Sequence, residues 1–551
     1  MKTKVTSSAA FLNLRVLIGL ALCSLGLVIG LAGISKSVTG VIAATPTVNI
    51  DHQHHHYKLI DMGTFGGPES FLSSPANTVP VLNPRGVTVG GSATATSLTA
   101  TSSPFVCGGL EGLSPNVNHA FKWANGVITD LGSLAGDDFC SLAAAVNARG
   151  KSVGTSEINV VDPLLGVNEI HAVAWNGNEI SDLGTFGGTL SIAVGIDPSG
   201  EVIGSSLNST PDPYSIFDFQ LAGLSTGTQT RAFVSRNGAL QDLGTLGGPD
   251  AVASWINEPG WIAGFSYTNS MPNPSTGFPT QDPFLFKNGR MIDLGSLGGV
   301  DGFAQGLNNR GQVIGGSSTS AAPGACFTNG SQEFGNPGCD PFLWDPTTGE
   351  MIDLSTSTTG GTPETVDAIN DAGEIVGAGV FGTLLFDAYV WRNGVATDLG
   401  NLGDCFSKPS DINSHSQVVG RTFDCNFNAL RAFLWENGSI ADLDSLVLPG
   451  SSLRLVWAMK INERGEIGGI GVPPGVRRSD LLSQGHAFLL IPCDEDHPGV
   501  EGCDYSLVEV PATVTQPISA IRDASRRALP PSLMSRMSPY RFPGRAFAPK
   551  G

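Results

Sequence analysis

Three short strings recur in fixed order along this chain, and that repetition constrains the fold more than any other feature of the sequence. The string DLGTFGG and its relatives begin at Asp61, Asp130, Asp182, Asp242, Asp293, Asp353, Asp398 and Asp442. A second string, of the form INxxGxVVG, centres on Asn83, Asn147, Asp197, Asn257, Asn308, Asn370, Asn413 and Asn462. A third, HAFLW, falls around Phe121, Val173, Phe233, Phe284, Phe342, Tyr389, Phe433 and Phe488. From the second residue of HAF to the Asp of DLG is ten residues in six of seven cases, whereas the gap from the Asn to the next HAF runs from 18 to 37. One connection per repeat therefore absorbs nearly all the variation in length, which surface loops tolerate at ~0.6 kcal/mol per doubling.

Each repeat reads as four short strands. In AFKWANGVITDLG, at 120–132, Asn125-Gly126 splits two apolar-rich runs, a hairpin signal. In AVNARGKSVG, at 145–154, a second turn is built from an Asn that bonds its own backbone and a Gly that accepts positive φ. No window inside the repeats shows convincing helical periodicity. Charged residues are only 14% of the chain and Gly numbers 72, a composition of strands and tight turns rather than helix bundles. Four strands repeated at this period predict an all-β fold, an eight-bladed β-propeller of four-stranded blades over residues 57–491. The ends are complementary. The chain enters at Tyr57–Phe65 with a fourth strand that lacks a third, and leaves at His486–Ile491 with a third strand that lacks a fourth. Pairing them closes the ring and hides two sheet edges. An open solenoid, or another blade count, is the alternative.

The combination HAFLW…DLGTLGG, carried eight times over roughly 57–491, resembles the HAF-repeat family of extracellular repeat proteins. The resemblance implies secretion from a bacterium and a β-repeat fold. It implies no catalytic residue and no cofactor. Two copies drift from the pattern, DLSTSTTGG at Asp353 and the copy with Ser416 in place of Gly.

The flanks fit an exported chain. Residues 1–44 contain Lys2, Lys4, Arg15 and Lys36 but no acid, an apolar run from Val16 to Ile34, and small residues at Ala43-Ala44. This is the pattern of a cleaved signal peptide, with an uncleaved membrane anchor as the rival reading. Its removal moves the net charge from −19 to −23. That charge disfavours nucleic acid as a partner. Residues 45–56 form a His-rich linker, in which His52, His54, His55 and His56 are either spare polar chain or a weak Zn²⁺ or Ni²⁺ binder. Residues 507–551 read as a basic, Pro-containing disordered tail with Arg522, Arg526, Arg527, Arg536, Arg541, Arg545 and Lys550.

Candidate sites follow from the repeat scheme. Without Cys23 of the leader, eight cysteines remain, an even number suited to an oxidising compartment. The scheme pairs them in sequence, as Cys107–Cys140, Cys326–Cys339, Cys405–Cys425 and Cys493–Cys503, the last closing a 492–506 extension. The Asp of each DLG reads as a turn residue that accepts backbone N–H groups, and Trp123, Trp175, Trp344, Trp391 and Trp435 read as core. His119, His171 and His486 stand a blade or more apart, too far for a shared metal. Glu69, Asp137, Asp250, Asp301, Glu364 and Asp404 recur just after the GG turns, so they are expected on one face as solvated turn acids or as a Ca²⁺-binding ring. No GxSxG, HExxH or P-loop string occurs. The expected function is a secreted or cell-surface, monomeric, non-catalytic binding module for an extracellular protein or glycan. A hydrolase or lyase site at a channel mouth, and a purely structural envelope role, are the alternatives.

Overall fold

The computed structural model describes residues 53–509, apart from 73–79, 108–113, 178, 217–225, 325, 327–337, 383–384, 427 and 478–479. The leader and most of the tail lie outside the described residues. Within them the chain is all-β. The helices are single turns such as Pro104–Cys107, Leu354–Ser357 and Leu481–Gln484, and none is long and apolar enough to cross a membrane.

The strands assemble as four-stranded antiparallel units with the connectivity of propeller blades. The first unit runs Gly66–Phe71, Thr88–Ser97, Asn116–Ala124, Val127–Asp130, and the fourth runs Ala251–Ile256, Ile262–Pro272, Pro279–Lys287, Arg290–Asp293. Unit six differs in one respect: its first strand is broken into Thr362–Pro363 and Ala368–Ile369. The last unit is shared between the two ends. Arg454–Ile461, Ile467–Val472 and His486–Pro492 receive Tyr57–Asp61 as their fourth strand, with Tyr57 opposite Pro492 and Asp61 opposite Phe488.

Seven of the units are locked by one glycine and one aromatic ring, and the second has Val173 opposite Gly154 instead. The Gly of VVG faces the Phe of HAF across the second and third strands, as in Gly204↔Phe233, Gly264↔Phe284 and Gly469↔Phe488. A Cβ on Gly264 would meet the Val252 carbonyl oxygen at 1.9 Å and the Phe284 ring at 2.9 Å. The missing side chain lets the ring lie flat over the sheet, and Phe121, Phe233, Phe284, Phe342, Phe433 and Phe488 are all fully buried. The five Trp side chains of the same strand lie in the core as well.

The Asn of the second string makes a bond that sequence periodicity alone does not reveal. Its side-chain oxygen closes its own turn, as Asn257 does by accepting from Trp261 N at 2.8 Å. Its Nδ2 donates to the equivalent backbone carbonyl of the next unit: Asn83 to Asn147, Asn147 to 197, Asn257 to Asn308, Asn308 to Asn370, Asn370 to Asn413, and Asn413 to Asn462. Asn462 then donates to the Asn83 carbonyl at 3.0 Å, so the succession returns to its start. Asp197 has no amide to donate, and no such bond is made from it toward Asn257.

The linker and the tail need a correction at their edges. Gln53–His55 is a strand, not a free linker, and it pairs antiparallel with Leu507–Glu509. The first of these strands is anchored through its central residue. His54 is fully buried, with Nδ1 on Glu436 Oε1 at 2.9 Å and Nε2 on Ser439 Oγ at 2.8 Å. His52 lies outside the described residues.

Candidate ligand-binding face

The two ends of the units differ in kind. At one end most connections are short turns, the 72–87 link of unit one being an exception. Third and fourth strands join through Asn125-Gly126, Asn237-Gly238, Asn288-Gly289, Asn393-Gly394 and Asn437-Gly438, with both residues at positive φ, the geometry of a type I′ hairpin. At the other end the links between second and third strands range from 382–384 in unit six to 98–115 in unit one and 320–338 in unit five. The links from each fourth strand to the next unit's first strand emerge beside them.

Disulfides fasten this variable end. Cys107–Cys140 ties the 98–115 link to the start of unit two, Cys326–Cys339 closes the 320–338 link, and Cys405–Cys425 joins two neighbouring links of unit seven. Cys493–Cys503 closes the segment after the last strand. These are the four pairs of the sequence scheme.

The Asp of each DLG stands at this end and performs the turn role expected of it. Asp61, Asp130, Asp182, Asp242, Asp293 and Asp398 each accept from the Gly N–H two residues on, at 2.7–2.9 Å, and Asp353 and Asp442 do the same for Ser355 and Asp444. The second carboxylate function was missed in the sequence. The residue before AF reaches the same Asp: His119 Nδ1 donates to Asp130 at 2.8 Å, His171 to Asp182 at 2.9 Å, Arg231 to Asp242 at 2.9 Å and His486 to Asp61 at 3.1 Å. Burial disfavours charge on His119, yet the Asp130 contact outweighs it and holds the imidazole above its ordinary pKa.

Units four to six replace that cation by a carboxylate. Asp282 lies near enough to Asp293, Asp340 to Asp353 and Asp387 to Asp398 for their charges to repel. Burial, then the Asp293 and Asp301 charges, push Asp282 up to about 6. Burial and Asp398 push Asp387 up to about 7. The signal was in the sequence: HAF and RAF become DPF at 282 and 340 and DAY at 387.

The six acids after the GG turns do not stand together as a solvated ring. Glu69, Asp250 and Asp301 are buried, Glu364 and Asp404 half-buried, and Asp137 exposed. The reason is register. The GG pair itself makes the turn, so Glu69 and Asp301 already belong to the strands Gly66–Phe71 and Gly298–Leu307. Asp250 accepts from Ile216 N at 2.5 Å and Thr230 N at 2.9 Å, pinning the loop of the preceding unit, while burial and Asp212 push it up to about 8. Burial likewise pushes Glu69 to about 7. Asp404 is forked by Arg431 at 2.6 and 3.0 Å. Among the described residues, the one trio of metal-type ligand atoms within 4.8 Å of each other is Cys107, Cys140 and Glu157, whose two sulfurs are joined to each other.

Two further ion pairs tie first strands of neighbouring units. Lys408 Nζ lies 3.3 Å from Asp367, and Lys460 Nζ 3.6 Å from Asp411, with both lysines buried. Burial lowers the Lys460 pKa and raises that of Asp411.

No protein-family model and no curated protein matches the chain. Among solved structures it is similar to the Pyrococcus horikoshii acylaminoacyl peptidase, at 11% identity and a TM-score of 0.37, over 74% of this chain and 58% of that one. It thus spans little more than half of that protein's length. It is also similar to the β-propeller domain of the Trilobed protease from Pyrococcus furiosus, at 10% identity and a TM-score of 0.36, covering 70% of this chain and 98% of that one. A third is an oligogalacturonate lyase in complex with manganese, at 12% identity and a TM-score of 0.31, covering 80% and 99%. At these scores the likenesses carry no argument about activity.

Proposed function

We propose that this chain is a secreted, monomeric HAF-repeat protein, a closed eight-bladed propeller whose loop-bearing end binds an extracellular protein or glycan without catalysis. The observation that carries the binding role is the asymmetry of the two ends. Short turns dominate one, with the 72–87 link of unit one and the 493–506 extension as exceptions, while connections of unequal length, fastened by three disulfides, occupy the other. A spacer has no need for diversified loops on one end only, and rigid loops bind at lower ordering cost. Closure is supported by the Tyr57–Asp61 pairing and by the return of the Asn succession from Asn462 to Asn83. Four disulfides fit an oxidising, extracellular location.

The test is an array of immobilised glycans and extracellular proteins probed with the mature chain. One variant shortens 320–338 to a three-residue link and carries Cys339→Ser. A second carries Asn288→Gly at the tight end. Binding should fall at least tenfold in the first and hold in the second, with both folded by circular dichroism. Equal loss in both, or a parent that binds nothing but turns over ester, glycoside or peptide substrates, overturns the reading.

A further inference from the structure

The short-turn end of the molecule changes in charge from unit to unit. It carries the turn that joins each first strand to the second, and the residue two past the Asn of that turn is Arg85 in unit one, Arg149 in unit two, Arg310 in unit five and Arg464 in unit eight. Two of these four are occupied. Arg464 lies 3.4 Å from Glu466 Oε1, and Arg310 donates at 2.8 Å to Gln312 Oε1, a side chain itself bonded to Asp345. Arg85 and Arg149 are exposed, and among the described residues neither guanidinium has a hydrogen bond or an ion pair.

The two free arginines stand on neighbouring turns of one framework. Asn83 Oδ1 accepts from Arg85 N at 2.9 Å, Asn147 Oδ1 accepts from Arg149 N at 3.0 Å, and Asn83 Nδ2 donates to the Asn147 carbonyl at 2.8 Å. Both backbones are thereby pinned, and the two cations start from a fixed interval. Lys151 continues the row toward unit three, its Nζ donating to the Gly200 carbonyl at 3.4 Å, with no carboxylate paired to it among the described residues.

The acids of this end lie elsewhere. Directly after the Asn stand Glu258, Asp371 and Glu463 in units four, six and eight, all exposed, but Pro84 and Ala148 in units one and two. Glu201 of unit three is paired with Arg236. In units one and two the described acid at this end is Glu179, at the start of a fourth strand. The 73–79 stretch that leads into the Asn83 turn contains no charged residue. A molecule of net charge −19 thus reverses sign locally, over one sector of one end.

The shape of the sector selects the anion. A guanidinium receives a carboxylate in a planar fork, and two at a fixed interval with a lysine beyond suit an extended chain bearing one carboxylate per sugar. A flat anionic lipid surface covering the whole end would also meet Glu258, Asp371 and Glu463. Duplex DNA, with one charge per ~1.7 Å of axis, brings far more charge than three cations offset. We propose that the short-turn end of units one and two binds an extracellular polyuronate, with Arg85 and Arg149 receiving its carboxylates and Lys151 extending the contact. This surface lies opposite the loop-bearing end and does not depend on the role given to that end.

The test is arginine footprinting of the full mature chain with phenylglyoxal, read by peptide mass spectrometry, with sodium alginate as the polyuronate and dextran as the neutral control. Reading site by site separates these arginines from those of residues 507–551. Alginate should lower modification of Arg85 and Arg149 at least fivefold and leave Arg310, at the same turn position in unit five, unchanged. Dextran should protect none of the three. Arg149→Gln should weaken the protection of Arg85 several-fold at fixed alginate, and Arg310→Gln should not, the mark of one ligand spanning both turns. Equal modification of Arg85 and Arg149 with and without alginate, equal protection of Arg310, or phosphatidylglycerol vesicles protecting Arg85 and Arg149 as well as alginate does, would each overturn the proposal. The array experiment turns on the 320–338 link at the other end, so either result can fail while the other stands.

Discussion

A single missing side chain sets the packing of each unit, and the cost of restoring it can be stated. Gly264 has the Val252 carbonyl at 1.9 Å from where its Cβ would sit, and that carbonyl is held in a strand. Gly264→Ala should destabilise the protein by about 2–3 kcal/mol through overpacking, measured as a lower denaturant midpoint with unchanged slope. A midpoint equal to the parent's would show that the sheet yields at this point. Asp197 offers the opposite experiment. It closes its own turn, accepting from Gly200 N at 2.7 Å and Glu201 N at 2.8 Å, but lacks the amide that its counterparts donate to the next unit. Asp197→Asn should add that bond and stabilise by about 0.5–1.5 kcal/mol. No gain in thermal midpoint would mean that the carbonyl of Asn257 is out of reach. The DLG turns, the NG hairpins and the buried aromatic positions were legible residue by residue, because each is a local rule that recurs in most of the repeats. The buried state of Asp250 was not, because its partners, Ile216 and Thr230, come from the preceding unit at sequence distances no local pattern encodes. The same holds for His54, whose partners lie 382 and 385 residues away.

At the scale of the element, the strands and their order were legible from periodicity, and the exceptions have physical causes. The strand Gln53–His55 was read as linker because three polar residues carry no alternation, and only its pairing with Leu507–Glu509 explains it. The fourth strand of the last unit was legible because the count of third and fourth strands came out unequal at the two ends. That strand makes a full ladder with His486–Pro492 and buries Tyr57. Deleting residues 57–61 should therefore expose the edge of His486–Pro492 and cause association or loss of cooperative melting. Static light scattering and calorimetry check this, and a deletion that stays monomeric and melts like the parent would remove the closing role from this strand.

For the whole molecule, the buried carboxylates set how stability varies with pH. Glu69, Asp250, Asp282 and Asp387 have folded pKa values raised to about 7, 8, 6 and 7. Folding therefore favours their protonated forms, and the unfolded chain ionises them near pH 4. Their contribution is fully present below pH 4 and is lost progressively as pH rises toward 6–8. The raised pKa of His119 acts in the same direction, with its contribution lost as pH rises past the ordinary imidazole range. The thermal midpoint should accordingly be higher at pH 5 than at pH 8, and Asp387→Asn should flatten the difference. A midpoint that rises from pH 5 to pH 8 would show that these groups ionise in the folded state without penalty. In sequence, the acids were visible as a set but placed at loop tips, since composition cannot tell a turn residue from one that has just entered a strand.

The first strand of the last unit to be synthesised and the last to find its place are the same five residues. Tyr57–Asp61 waits for His486–Pro492, more than four hundred positions later, while every other unit takes all its strands from one continuous stretch. Folding of the leading units can run ahead during synthesis or export, but the final unit is gated by chain completion, and its closure carries the largest loop-closure entropy in the molecule. A circular permutant, with the old ends joined and new ones opened in the exposed Asn288-Gly289 hairpin, would make the last unit local and split unit four instead. The slow step of refolding should then move with the break, which identifies closure by timing rather than by stability.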